Sequence, residues 1–94
     1  MRSILFTISK LEFIGSGKFM VAGRNCEDDL RLGDTLTIEC EQINESRKVV
    51  VTEMEMYSKP QKSIPPGFTA GLFFENSIAG HFALGGKLVG SQPD

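Results

Sequence analysis

The sequence predicts an all-β protein, a small closed antiparallel barrel of six to seven short strands. Three observations carry this expectation. Apolar residues recur with a period of two along nearly the whole chain, no stretch holds a helical period, and ten glycines and four prolines punctuate only 94 residues. Closure into a barrel would also remove the exposed strand edges that a set of short strands otherwise leaves. The length suits a single domain, assigned to residues 1–90, with residues 91–94 expected to be a frayed tail.

Taken in order, Ile4, Phe6 and Ile8 alternate with Leu5, Thr7 and Ser9 and open the first strand. The apolar phase then moves by one, to Leu11 and Phe13, which marks a β-bulge and predicts a bent strand. Gly15-Ser16-Gly17 makes a tight turn, and residues 18–24 return with Phe19 and Val21 on one face. Residues 25–34 form a connection in which Leu30 and Leu32 are expected to plug one end of the barrel. Gly33-Asp34 leads into a strand over residues 35–41 with Leu36, Ile38 and Cys40 inward, and Asn44-Glu45-Ser46 turns the chain again.

Residues 47–57 read as one long strand. Val50, Thr52, Met54 and Met56 share an uncharged face and are assigned to the core, which leaves Val49, Val51, Glu53, Glu55 and Tyr57 outward. Residues 58–67 contain Pro60, Pro65 and Pro66 and are read as a loop. A strand follows over residues 68–75 with Ala70, Leu72 and Phe74 inward. Asn76-Ser77 is a turn, residues 78–81 are irregular, and residues 82–90 hold a last strand interrupted by Gly85-Gly86.

Ten Lys and Arg against twelve Asp and Glu give a net charge of −2. A protein that holds nucleic acid by neutralising phosphates normally carries a basic excess. Here the basic groupings are Arg47-Lys48 and the pair Lys59 and Lys62, so strong sequence-independent binding to RNA or DNA is disfavoured. A shaped pocket for an RNA end stays open. Glu27-Asp28-Asp29 reads as a solvated turn. Cys26 and Cys40 fall on successive strands that hold them apart, and with His81 as the one histidine no zinc set is expected, nor any other metal or cofactor. The apolar start reaches Lys10 and Glu12 too soon for a secretory leader, and no apolar run is long enough for a membrane helix. A cytoplasmic protein without membrane contact is expected.

Three stretches, taken together, resemble a known family. The first is Ile14-Gly15-Ser16-Gly17-Lys18-Phe19-Met20-Val21-Ala22-Gly23-Arg24 with Leu30-Arg31-Leu32-Gly33-Asp34. The second is Met54-Glu55-Met56-Tyr57-Ser58-Lys59. The third is Pro66-Gly67-Phe68-Thr69-Ala70-Gly71-Leu72, followed by Phe82-Ala83-Leu84-Gly85 and Leu88. In order and spacing they resemble the second, β-barrel domain of elongation factor Tu and related translational GTPases. The resemblance implies the barrel fold, here as a freestanding domain. It also implies that GTP hydrolysis belongs elsewhere, since that chemistry uses a G-x-x-x-x-G-K-[ST] loop that this chain does not contain.

In that family the second domain helps hold the aminoacyl end of transfer RNA, and the residue matching Glu55 stacks against the terminal adenosine. Two departures change the flanking chemistry: Ser58 stands where the family has a basic residue, and Phe68 where it has an acidic one. The residues expected to carry binding are Glu55, Tyr57, Lys59, Phe68, Phe73 and Arg24. Glu53 and Glu55, about 7 Å apart along a strand, suit acid–base work by distance alone but lack an accompanying nucleophile. His81 reads as a rim residue. The function expected is therefore a non-enzymatic binding module for a protein partner or translation component, whether a factor, the ribosome or an RNA end. The alternatives are a decoy or immunity-type interaction module, or a structural homo-oligomer such as a homo-dimer, with the outward Val49, Val51, Tyr57 and Phe73 as the surface for a partner or dimer contact.

Overall fold

The N-terminal alternation becomes β1 (Arg2–Gly15), with Ile4, Phe6 and Ile8 buried. Its hairpin partner is β2 (Lys18–Asn25), and the phase shift is the expected bulge: Ile8 pairs with Gly23, but Lys10 pairs with Ala22. At this crossing the Thr7 carbonyl lies where a side chain on Gly23 would begin, so only glycine fits. The computed structural model describes residues 1–41 and 46–93. Asn44 and Glu45 of the expected turn lie outside the described residues.

The remaining elements are β3 (Leu30–Arg31), β4 (Thr35–Glu39), β5 (Arg47–Val50), β6 (Met54–Met56), β7 (Lys59–Gln61), β8 (Ser63–Ile64), β9 (Thr69–Glu75), a 3₁₀ helix (Asn76–His81) and β10 (Lys87–Gln92). Eight strands form one antiparallel sheet in the order β5-β4-β10-β1-β2-β9-β6-β7, and β3 pairs with β8 separately. The protein is all-β, as the periodicity predicts, but the strands are more numerous than expected, and those after β2 are shorter. Among the described residues no hydrogen-bonded ladder closes the sheet, which is rolled rather than a complete barrel.

The roll is made by residues 47–56. Val49 pairs with Leu36 of β4, whereas Met54, a few residues later, pairs with Leu72 of β9. One run of chain thus serves two neighbours from opposite ends of the sheet order. Between them the strand breaks and its phase slips: Val49 and Val51 are buried, Thr52 and Glu53 are both exposed, and Met54 is buried. This corrects the expectation that Val49 and Val51 point outward, since Val50 is the valine that does, at 50% exposure. Three backbone bonds fix the break. Gly33 N donates to Val51 O at 2.7 Å, Val51 N to Asp34 O at 2.9 Å, and Phe73 N to Glu53 O at 3.1 Å.

Other differences have equally local causes. Residues 58–67 hold β7 and β8 rather than loop alone; Pro60 is tolerated because β7 is an end strand of the sheet. Leu30 plugs the core at 0% exposure, but Leu32, on the turn before β4, is 40% exposed. The last strand begins at Lys87 instead of residue 82. It runs through Ser91 and Gln92, expected to fray, which pair with Ser3 and Arg2. Gln92 adds a side-chain clamp, donating through Nε2 to Thr35 O at 2.6 Å. One end of the core is closed by Phe19, Phe74 and Phe82, with ring centroids 5.2–6.0 Å apart. Cys26 is an exposed free thiol and Cys40 a buried one. Among the described residues no helix is long and apolar enough to cross a membrane.

Two buried polar residues organise the connections. Asn25, fully buried, donates through Nδ2 to Asp28 O at 2.9 Å and Ile64 O at 2.8 Å, tying the β2–β3 connection to β8. Asp34 accepts from both terminal nitrogens of Arg2, at 2.8 and 2.7 Å, and from Arg31 N at 2.8 Å. Burial pushes the Asp34 carboxyl upward. The Arg2 hydrogen bonds, the Arg31 N–H and the two positive charges outweigh that, and the net pKa lies below the usual 3.8.

A carboxyl depressed in the folded state contributes stability above its unfolded pKa and loses it as pH falls through the folded value. Asp34→Asn is therefore expected to cost about 3–5 kcal/mol near neutrality, because the buried Arg2 loses its bidentate carboxylate. The difference from wild type should shrink below about pH 4. Urea unfolding at several pH values checks this; a pH-independent difference would refute the role of the pair. The register correction is tested in the same assay. Val49→Glu should cost about 3 kcal/mol or more by burying a charge, while Val50→Glu stays within about 0.5 kcal/mol.

Candidate binding surface

The outer face over β2, β9, β6 and β7 collects the residues singled out from the sequence. Strand pairing aligns Ala22, Gly71, Glu55 and Pro60 in one row across these four strands, with Met20 opposite Phe73 in the next. Glu55 and Phe73 are both half-buried and sit on adjacent strands. Arg24 is exposed and pairs with Thr69 at the start of β9, beside Phe68, which is 40% exposed. Phe68 is anchored through its carbonyl, which accepts from Asn25 N at 3.0 Å.

Gly71 is the place where the face could be hollow. It is not hollow. A side chain begun there would meet Met20 Sδ at 2.7 Å and Glu55 Cγ at 3.4 Å, so the protein's own thioether and carboxylate stem cover the glycine. The space over Gly71 beside the Glu55 stem is thus filled by Met20, a cross-strand neighbour on β2.

Tyr57 and Lys59 stand at the end of the β6–β7 hairpin. Tyr57 is 77% exposed, and Tyr57 and Ser58 both adopt left-handed backbone conformations, with φ of 56° and 62°. Successive positive φ values match the twist of a two-residue hairpin, a turn usually built from Asn-Gly because other residues are strained there. Here the strained position carries a large aromatic side chain aimed at solvent. Antiparallel pairing of Glu55 with Gly71 puts this tip at the same end of β9 as Arg24 and Phe68.

Sequence reasoning did not anticipate the clefts. One of about 200 Å³ is lined by Lys18, Glu53 and Phe73 among others, and Lys18 Nζ lies 2.9 Å from Glu53 Oε1. A neighbouring cleft of about 270 Å³ is lined by Arg47, Lys48, Val50, Phe73 and Ile78 among others. Their signal in the sequence is indirect: they arise where two strand edges fail to meet. The pairing of Glu53 with Lys18 separates it chemically from Glu55. His81 is half-buried at the end of the 3₁₀ helix. Among the described residues no group of three His, Cys, Asp or Glu side chains could hold a metal ion.

No protein-family model matches the chain, and no curated protein does. Among solved structures it is similar to translation elongation factor SelB from Methanococcus maripaludis in its apo form. The TM-score is 0.74 at 14% sequence identity, over 93% of this chain and 18% of that one. The fold is that of a translation-factor domain. The chain spans under a fifth of that factor's length, 18%, and the likeness concerns architecture.

The strain at the hairpin tip is measurable. The double variant Tyr57→Asn with Ser58→Gly is expected to raise stability by about 1–2 kcal/mol, because it supplies residues that accept positive φ. Chemical denaturation checks the direction; a loss of stability would show that Tyr57 and Ser58 make compensating contacts.

Proposed function

We propose that this protein is a non-enzymatic binding module that docks a protein component of the translation machinery on the outer face of β2, β9, β6 and β7. The observation that carries the reading is Tyr57. An exposed aromatic ring is held in a strained turn, beside Lys59 and at the same end of the face as Arg24 and Phe68. Strain at an exposed aromatic is the pattern of a recognition element more than of a structural one. The translation-factor fold supports the choice of partner. The filled niche at Gly71 and the net charge of −2 favour a protein surface over an RNA end. The separation of Glu53 from Glu55 supports binding in preference to catalysis. Such a role belongs in the cytoplasm.

A decoy or immunity-type module that displays a translation-factor-like surface is the second reading, and the same acidic balance favours it. The homo-oligomer reading loses Val49 and Val51 as contact residues, because both are core, and keeps Tyr57 and Phe73.

Affinity capture from lysate with and without RNase tests the proposal. The expected result is RNase-resistant capture of an identified ribosomal protein or translation factor, weakened about tenfold or more by Tyr57→Ala, or about 1.4 kcal/mol. Capture that RNase abolishes would move the function to RNA. Stoichiometric capture of one protein unconnected with translation would favour the decoy. Capture indifferent to Tyr57 would overturn the assigned face.

A further inference from the structure

The open roll leaves a seam between β5 and the far half of β9. β5 is an end strand, bonded along one edge to β4, and β9 pairs with β6 only at Gly71 and Leu72. Beyond those residues the β9 edge gives one bond to the break, from Phe73 N to Glu53 O. The cleft of about 270 Å³ lies between these edges, with Arg47, Lys48 and Val50 on one wall, Phe73 and Glu75 on the other, and Ile78 contributing apolar surface.

We propose that this seam accepts a short extended segment of a partner protein, acidic and apolar residues alternating, as an added strand. A strand edge presents N–H and C=O groups at a spacing that another extended main chain matches. The two sheet ends differ in this respect. At β7, Pro60 removes a donor, which blunts that edge; β5 contains no proline.

Charge selects the occupant. Arg47 and Lys48 are exposed and have no carboxylate within ion-pair distance among the described residues; Glu53 is paired with Lys18 at 2.9 Å, and Glu75 on the opposite wall leaves the cleft lining with one positive charge in excess. A second copy docking edge to edge would bring arginine and lysine of both β5 strands together, so an acidic segment fits where a copy of this chain does not. The β5 edge, at about 3.3 Å per residue, accommodates a segment of about four or five residues. Alternation would set its carboxylates on the outer face beside Lys48 and its apolar side chains on the inner face toward Val49, Phe74 and Ile78.

The test is a titration of ¹⁵N-labelled protein, followed through its backbone amide signals. Three probes are used: acetyl-Glu-Val-Glu-Val-Glu-amide, its counterpart with lysine in place of glutamate, and the acidic peptide with both valines N-methylated. The expected result is movement of signals from residues 47–50 and 73–75 with the acidic peptide, which binds about tenfold or more tightly than the lysine peptide. N-methylation should abolish binding, and the double variant Arg47→Glu with Lys48→Glu should reverse the charge preference. No shifts at millimolar peptide, or shifts confined to the β6–β7 hairpin, would overturn the proposal. Equal binding of the N-methylated peptide would refute strand addition, and equal binding of the lysine peptide would refute charge selection. None of these outcomes depends on Tyr57, so failure of the outer-face reading leaves this one standing.

Discussion

Asp34 is the residue through which distant parts of the chain agree on one arrangement. Its carboxylate takes both terminal nitrogens of Arg2 and the Arg31 N–H, while its carbonyl accepts from Val51 N. The beginning of β1, the turn into β4 and the break after β5 therefore meet at a single side chain and its own peptide. Burying such a pair is costly, and the cost is offset only when the geometry is bidentate and the remaining lone pairs are used. Both conditions hold here. A hydrophobic side chain in its place would leave the start of β1 untied to the turn into β4.

The break that Asp34 helps position determines the rest of the architecture. Had residues 47–56 continued as a straight strand, β4 or β9 would have lost its neighbour. With the phase slip at Thr52 and Glu53, Val49 and Val51 face the core beside Leu36, and Met54 faces it beside Leu72. The sheet can then roll around Phe6, Val21 and Leu88, all at 0% exposure, without a closing ladder. Beyond the break the β6–β7 hairpin starts at once, which leaves room for a two-residue turn only and forces Tyr57 and Ser58 into left-handed conformations.

Legibility in the sequence follows from how distinct the two faces of a strand are. In β2, β4 and β9 the apolar side chains keep one phase and their inward sets are those expected; in β1 this holds through Ile8, but past the bulge Phe13 is 72% exposed. In Val49-Val50-Val51 both phases are apolar, so periodicity is degenerate there. The choice is made by bonds from Gly33 and Asp34, far away in the chain. Asn25 is opaque for a similar reason, since a buried asparagine reads as a turn residue until Ile64 is seen to accept its proton. Glu55, Phe73 and Tyr57 were legible as members of one surface. That Met20 would cover Gly71 was not, because it depends on the register between β2 and β9.

The same local event accounts for both features that distinguish this surface. The slip at residues 51–53 separates β5 from β9, opening the seam, and launches the hairpin whose tip holds Tyr57. Phe73 joins them: it pairs with Met20 across β2 and β9 and lines the cleft, and its N–H is bonded to the Glu53 carbonyl within the break. A sheet closed by continuous pairing would have neither an open edge beside Phe73 nor a strained tip. The irregularity that makes the roll possible is thus also what gives an otherwise ordinary β-fold two places at which a partner's chain can be recognised.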